Sequence, residues 1–509
     1  MSKIRERRGV GIVAGASLAV RRHALVVSII LVAVITGMWV TTAHAHLFTW
    51  IGGFASNGEW WTPVDFWQPI PGTHAILWGA FPHLYDYIGG GYLNGYYNPP
   101  GLVLLYLPFT ALADKLGLVG PGLFASAPGV HPTAWLVYGP VEIATCYSVL
   151  FPIEALVKRG TDSAAIRRSV VVASALLLVF ITLFFGHPEY MLALGCGIYG
   201  LGAGLDGKYR RMAWFFGAGL AFQPVAGLFM IPVLGVLKRR EVLPVLWRIV
   251  LVPLLILVVP FVGSSRATWM ALANQSAYPS VIAAEDTPFT NFVPHEWYEY
   301  GYEPMKVPAA VKNSPFAGLM NLISRPIDKQ LGPSLTPAET KLPTTLNGGV
   351  YRIEHARGSE SRVLAFMGAG LLAVLVARRR RRGRLDPSYV VWAAALGLAL
   401  RPIFDVADFP YYEVPGLLAL LVAASWRGRP AAAKAIPVAL GVLALGFWPY
   451  VVIELGFPRL PVDLWWGLLV ALTGALATLA WPRAERAITV ETGTTESEAA
   501  GESNDLVLA

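Results

Sequence analysis

The sequence predicts an all-α polytopic membrane protein, and three observations lead to that class. Of its 509 residues, 55% are hydrophobic and 14% are charged, whereas a soluble domain carries about 25% charged residues. The mean hydropathy is +0.53. Apolar stretches recur with basic residues at their ends, as the positive-inside rule describes. We therefore attribute the net charge of +8 to membrane topology and expect no nucleic-acid partner.

The first apolar stretch predicts an uncleaved membrane helix. A basic segment over residues 1–23 precedes an apolar run from Ala24 to Val40. Because Ala43-His44-Ala45 has the form of a cleavage site, a secretory signal is the alternative. The run approaches the roughly 20 residues that cross a bilayer, and further apolar runs follow it. We expect a multi-pass protein of the cell membrane with a cytoplasmic N-terminus.

The basic clusters predict ten full spans if all of them face the cytoplasm. The predicted spans are 24–42, 133–156, 168–185, 190–206, 248–263, 362–377, 388–402, 411–426, 434–454 and 464–481. Two apolar segments, Gly101–Leu118 and Ala213–Leu237, do not fit this alternation and are predicted to be re-entrant segments or hairpins. Gln223-Pro224 is expected to divide the second into half-helices that enter and leave on one face, because proline interrupts a helix. Twelve full spans is the alternative.

The topology also predicts the parts outside the bilayer. The membrane domain covers residues 24–486, with extracytoplasmic loops over about 43–100 and 263–362. Within the second loop, residues 315–331 place apolar side chains mainly on one helical face, which is typical of a helix on the membrane surface. Residues 487–509 are acidic and polar and predict a disordered cytoplasmic tail.

Several polar residues in apolar surroundings are predicted to converge on the outer membrane face. They are Asp65, Asn98, the turn Gly186–Tyr190, Arg401, Asp405, Asp408, Tyr411 and Tyr412. An ionisable residue inside the membrane costs about 2.5–3.5 kcal/mol on insertion scales, so each should be paired or face an aqueous cavity. Structural interpretations stay open: a helix cap for Asp65, a snorkelling Arg401 neutralised by nearby aspartates, and an interfacial belt for the tyrosines.

Sequence motifs exclude several other kinds of site. The chain has no metalloprotease His-Glu-x-x-His, no phosphate-binding P-loop and no serine nucleophile elbow. Cys146 and Cys196 lie in apolar stretches without metal-ligand spacing, which indicates free buried thiols. No metal or cofactor is predicted, although a divalent ion held by Asp65 with another carboxylate stays open.

Three stretches of sequence occur in an order that is typical of a known enzyme superfamily. The first stretch begins with Asp65 after the first helix and continues with Leu84-Tyr85-Asp86, Tyr97-Asn98-Pro99-Pro100 and Leu104–Pro108. The second stretch consists of Gly186-His187-Pro188-Glu189 and Gly217–Pro224. The third consists of Phe404-Asp405 and Tyr411-Tyr412. This pattern, over residues 65–425, resembles the GT-C superfamily of membrane glycosyltransferases, in particular the actinobacterial polyprenyl-phosphomannose-dependent mannosyltransferases. Two departures are Gln223, where the family usually has Lys, and Phe66-Trp67, where it usually has Tyr.

The resemblance implies a GT-C-like bundle of about 10–12 transmembrane helices that transfers a sugar on the outer membrane face. The implied enzyme is a hexosyl or pentosyl transferase whose donor is a polyprenyl-phosphate sugar, with mannose favoured and arabinofuranose as the alternative. The implied acceptor is a hydroxyl of a lipid, glycan or protein. Asp65 would be the catalytic general base, and Arg401 with His187 would stabilise the leaving phosphate. The expected substrate-binding residues are Tyr97, Asn98, His187, Glu189, Gln223, Arg401, Asp405, Asp408 and Tyr412.

Two other functional classes stay open at this stage. A lipid or glycan transporter or flippase often has internal repeats and binding residues near the membrane midplane, whereas these polar residues are expected at one face. A non-catalytic envelope-assembly subunit that kept the scaffold is the other, because Gln223 and Phe66-Trp67 depart from the family pattern.

Overall fold

The computed structural model of the protein is a bundle of α-helices. It describes residues 22–45, 99–116, 135–273, 356–404, 410–455 and 462–482, with short pieces between 72 and 92. The helices in these ranges are α1 (Arg22–Ala45), α2 (Gly101–Lys115), α3 (Trp135–Tyr147), α4 (Leu150–Gly160), α5 (Ala164–Phe180), α6 (Pro188–Leu205), α7 (Tyr209–Phe222), α8 (Ala226–Leu234), α9 (Arg239–Ala273), α10 (Ala356–Arg381), α11 (Pro387–Phe404), α12 (Pro410–Ser425), α13 (Arg429–Leu455) and α14 (Val462–Ala480). A two-residue hairpin pairs β1 (Tyr87–Ile88) with β2 (Gly91–Tyr92).

Many of these helices suit a membrane environment. In the described part of the chain, five helical stretches are long and apolar enough to cross a membrane: Val137–Gly160, Ala164–Leu183, Arg239–Gly263, Pro387–Phe404 and Arg429–Trp448. Four shorter apolar helices accompany them: His23–Met38, Gly101–Ala113, Tyr411–Ser425 and Leu464–Ala480. This architecture agrees with the predicted class, an α-helical membrane protein.

We name the two ends of the bundle by the residues that they carry. The end that contains Trp426 and Arg380 is called the basic end; there, the Trp426 indole donates to the carbonyl of Leu156 (3.1 Å) and Arg380 donates to the carbonyl of Val236 (3.0 Å). The opposite end, which we call the site end, carries His187 and Arg401. In both regions, side-chain donors reach backbone carbonyls of neighbouring segments and so hold the helix ends together.

The predicted interruption at Gln223-Pro224 is confirmed. Gln223 has an extended backbone, with φ −154° and ψ 118°, between α7 and α8. Met212, early in α7, and Val233, late in α8, both pack beside Gly204. The chain therefore enters and leaves this pair of short helices near the same end of the bundle, because proline at 224 cannot continue the backbone ladder of α7.

The other segment that broke the predicted alternation, residues 101–118, forms the single helix α2. Pro108 lies inside the helix and does not divide it. The first residue of α2 packs against the carbonyl of Ala221, and the Tyr106 ring lies 6.4 Å from the ring of Tyr138. The hairpin form of the prediction is therefore wrong for this segment, which lies beside the end of α7 and the first turn of α3, and its re-entrant form stays a prediction.

Helix boundaries also differ from the predicted spans. The span predicted over 133–156 corresponds to the continuous stretch Val137–Gly160, which a two-residue turn separates into α3 and α4. Helix α9 starts before and continues beyond the span predicted over 248–263. Helix α10 begins inside the loop predicted over 263–362. The predicted boundaries of the spans follow hydropathy alone. A helix, however, continues through polar residues wherever its backbone hydrogen bonds are kept. The predicted surface helix, the tail and most of the loop over 43–100 lie outside the described residues.

A buried carboxylate holds the start of α1. Glu154 of α4 is 1% exposed, and its Oε2 accepts the Ala24 backbone N–H at 2.9 Å. Its Oε1 lies 3.2 Å from His23 Nδ1. The first N–H groups of a helix lack partners within the helix and carry a partial positive charge, so an acidic side chain stabilises this end. Glu154 thereby fixes α1 to α4.

We expect Gly397→Ala to lower the free energy of unfolding by about 1–3 kcal/mol, a typical effect of overpacking. A methyl group at position 397 would overlap the carbonyl oxygen of Leu228 and meet the ring of Pro232. Gly370→Ala is the matched control, because a methyl group there meets open space and alanine favours a helix over glycine by about 1 kcal/mol. Reversible unfolding of the purified protein in mixed micelles measures both variants, and equal losses would contradict the packing described.

Candidate functional site

Three helix ends meet at the site end and carry the residues of the candidate site. The turn Gly186-His187-Pro188 leads into α6, Arg401 lies in the last turn of α11, and Tyr411 and Tyr412 lie in the first turn of α12. Ring contacts join all three ends. The sequence prediction that these residues converge is therefore confirmed for the part of the site that the structure describes.

The backbone before α6 has an unusual shape that places His187. A π-helical turn, Ile181–Phe185, follows α5, and Gly186 has a φ of +67°. Only glycine adopts this left-handed conformation without strain. His187 then has φ −115° and ψ 66°, and Pro188 occupies the first turn of α6, where its missing N–H costs nothing. Single π-turns are frequent at functional sites.

His187 and Glu189 form a buried pair. The His187 Nδ1 and Glu189 Oε1 atoms are 2.7 Å apart, and the residues are 6% and 2% exposed. Such a hydrogen bond is charge-assisted when the imidazole is protonated. The Tyr411 ring stacks on the imidazole with centroids 3.9 Å apart, and the Tyr190 ring meets its edge at 5.6 Å. These contacts fix the orientation of the imidazole.

Arg401 is buried between aromatic rings. It is 3% exposed, and its Cζ lies 3.5 Å from the ring centroid of Tyr412 and 4.8 Å from that of Tyr190. A desolvated guanidinium over an aromatic face gains about 2 kcal/mol. A side-chain hydrogen bond also joins Arg401 to Tyr190. The interpretation of Arg401 as a snorkelling arginine is therefore wrong, because Arg401 is buried inside the bundle. The interpretation of Tyr411 and Tyr412 as interfacial residues is wrong for the same reason.

The helix dipoles match the charges at this end. Glu189 lies in the first turn of α6 and Glu413 in the first turn of α12, where the partial positive charge of a helix favours a carboxylate. Arg401 lies in the last turn of α11, where the opposite partial charge favours a cation. The Trp466 indole donates to the carbonyl of Ile403 at 3.1 Å and so fixes the end of α11.

Sequence reasoning missed two buried acids near the site. Glu413 is 1% exposed and packs its carboxylate against Gly446 of α13. Glu142 of α3 is also 1% exposed, and Cys146 lies within electrostatic range of both Glu142 and Glu189. The signal was available, because each acid interrupts an otherwise apolar helical stretch, where an ionisable residue is by default functional.

The remaining predicted residues divide into two groups. Gln223 is buried at 3% exposure at the break between α7 and α8. The others lie outside the described residues: Asp65, Tyr97, Asn98, Asp405 and Asp408. Neutralisation of Arg401 by Asp405 and Asp408 therefore stays a prediction. Within the described residues, no group of three or more His, Cys, Asp or Glu side chains is arranged to hold a metal ion.

Comparison with known proteins adds no relative. No protein-family model, curated protein or solved structure matches the chain. The function proposed below is therefore supported by the residues of this chain and by the resemblance of its motifs.

We expect Arg401→Lys to lower the free energy of unfolding by about 2 kcal/mol, although the charge is kept. Lysine lacks the flat guanidinium that lies against Tyr190 and Tyr412. Arg381→Lys is the control, since Arg381 is exposed and such surface changes stay within about 0.5 kcal/mol. Denaturant unfolding in mixed micelles compares the variants, and an unaffected Arg401→Lys protein would show that the rings contribute nothing.

Proposed function

We propose that the protein is a membrane glycosyltransferase of GT-C type that uses a polyprenyl-phosphate sugar donor, with mannose as the favoured sugar. The observation that carries the proposal is the pairing of two buried potential cations, Arg401 and His187, with tyrosine rings at one end of an apolar helical bundle. A lipid-linked phosphate occupies the headgroup level of a bilayer, so a site for it needs cations held at such a level. The proposed activity also needs a general base, and the resemblance of the motifs assigns this role to Asp65.

The proposal includes a topology. We propose ten full spans, with α7 and α8 as a short pair within the membrane, a cytoplasmic N-terminus in the cell membrane, and the site end on the extracytoplasmic side. The basic residues at the opposite end support this orientation through the positive-inside rule. The first loop, which contains Asp65, would then open on the same side as His187 and Arg401.

The proposed reaction is a substitution at the anomeric carbon of the donor sugar. The hydroxyl oxygen of the acceptor, a lipid, glycan or protein, forms a bond to this carbon while the bond from the carbon to the phosphate oxygen breaks. The electron pair leaves with the phosphate, and the hydroxyl proton passes to the carboxylate of Asp65 as general base. The products are a glycoside and a polyprenyl phosphate.

The buried cations suit the charge that develops in this reaction. As the donor bond breaks, negative charge grows on the leaving phosphate, and cations held in place beforehand stabilise it without reorganising. Arg401 is held by two rings, and His187 by Glu189 and Tyr411. The low-dielectric surroundings would strengthen the attraction between these side chains and the leaving phosphate. Exclusion of water would favour transfer over hydrolysis of the donor.

We expect Asp65→Asn to lower sugar transfer at least 100-fold, because a general base typically contributes about 10²–10⁴-fold. The assay follows radiolabelled polyprenyl-phosphate mannose into acceptor in membranes that contain the protein. Asp114→Asn, near the end of α2, is the control and should transfer normally at equal protein level. Undiminished transfer by Asp65→Asn would remove Asp65 from the mechanism, and movement of the donor across the membrane without product would favour a flippase.

We expect Gly186→Ala to lower transfer at least tenfold, because the left-handed backbone at Gly186 positions His187, and a misplacement of about 1 Å can cost 100-fold. Gly207→Ala is the matched control. Gly186 and Gly207 have φ values of +67° and +70°, so alanine introduces similar strain of about 1–2 kcal/mol at each, but Gly207 lies in the turn between α6 and α7. Parallel thermal melts should show similar destabilisation of both. Equal loss of transfer in both variants would contradict a positioning role for Gly186.

A further inference from the structure

Exposed basic side chains from three elements meet at the basic end. Arg210 and Arg211 begin α7, residues 238–240 lead into α9, and residues 378–384 end α10; these segments consist largely of arginine. The Arg380 guanidinium donates to the carbonyl of Val236 at 3.0 Å, so the end of α10 is fixed to the turn before α9. Tyr209 is within electrostatic range of both Glu241 and Arg380, which brings the start of α7 to the same place.

These cations differ from Arg159 at the basic end, which has a carboxylate partner. The Arg159 guanidinium donates to both oxygens of the Asp206 carboxylate, at 2.8 and 3.1 Å, and holds the pKa of that carboxyl below its ordinary value. By contrast, none of the ion pairs between described residues involves a basic side chain of residues 210–211, 238–240 or 378–384.

The cationic segments of α9 and α10 each continue into an exposed apolar stripe. On α9, Arg240 is followed on the same face by Leu243, Trp247, Val250 and Leu254, which are 74%, 47%, 54% and 54% exposed. This spacing of three and four residues defines one side of a helix.

The end of α10 has the same pattern, since Met367, Leu371 and Val374 are exposed on the face that leads to Arg378 and Arg381. On α7, Trp214 is 45% exposed, one turn from Arg210. Tryptophan at such a level is typical of the boundary between hydrocarbon and headgroups. Apolar stripes that end in cations therefore lie on α9 and α10, and an exposed tryptophan lies beside the cations of α7.

We propose that this surface, formed by the exposed faces of α7, α9 and α10 at the basic end, binds an anionic phospholipid of the surrounding leaflet. The lipid phosphate lies among these arginines, for which the structure shows no carboxylate partner among the described residues, and its acyl chains lie along the apolar stripes. Clustered arginines beside membrane helices attract anionic headgroups by about 1 kcal/mol, or about fivefold in affinity, for each cation near the membrane surface. A free phosphate would use the cations but not the stripes. This inference is independent of the glycosyltransferase proposal.

The test compares lipid binding to the purified full-length protein by native mass spectrometry in a zwitterionic detergent. Phosphatidylglycerol and phosphatidylcholine are titrated separately into wild type and into the triple variant R378Q/R381Q/R382Q. We expect wild type to bind phosphatidylglycerol at least tenfold more tightly than phosphatidylcholine. The triple variant should lose at least fivefold in phosphatidylglycerol affinity, the effect of one cation near the surface, while its phosphatidylcholine affinity stays unchanged.

The triple variant R168Q/R429Q/K434Q is the matched control. It removes the same number of exposed positive charges from the basic end, away from the proposed surface, and should lose less than twofold. Equal losses in the two triple variants, or no preference of wild type for phosphatidylglycerol, would overturn the proposal. If R378Q/R381Q/R382Q does not accumulate as folded protein, R210Q/R240Q removes one charge from each of the other two elements and is held to the same comparison.

Discussion

Charged side chains inside an apolar helical bundle must find partners, and this constraint shapes the whole site end. An unpaired ion in the membrane interior costs about 2.5–3.5 kcal/mol on insertion scales. His187 and Glu189 meet this constraint by pairing at 2.7 Å, and Arg401 meets it by lying against the faces of two tyrosines. The aromatic rings are therefore part of the electrostatics as well as of the packing, because they replace the water that these groups lose.

The partners come from different helices, so the constraint also fixes how those helices approach each other. Glu189 and His187 belong to the start of α6, Tyr411 and Tyr412 to the start of α12, and Arg401 to the end of α11. Helix starts and a helix end carry opposite partial charges, and their proximity is favourable in itself. A site built in this way is held in one arrangement by its own contacts, which is the preorganisation that the proposed transfer reaction would require.

The sequence predicted the class of the fold and the convergence of polar residues because both depend on local patterns. Hydropathy and basic flanks identify apolar helices, and proline identified the break at Gln223. The surroundings of Arg401 could not be predicted, because Tyr190 is far from it in sequence, Tyr412 belongs to another helix, and only packing decides which rings face it. Glu142 and Glu413 were overlooked although each interrupts an apolar stretch. The hairpin predicted for α2 was wrong because the alternation of basic segments across a membrane gives no information about a helix that lies against one end of a bundle.

Glu154 has a consequence for how the bundle is assembled. Its carboxylate is buried in α4, and the partners that the structure gives it, His23 and the Ala24 N–H, both lie at the start of α1. Helix α4 could not keep this carboxylate buried at low cost without α1, because a buried carboxylate that loses its partners is strongly destabilising. The two helices therefore depend on each other although more than 100 residues separate these partners in the chain.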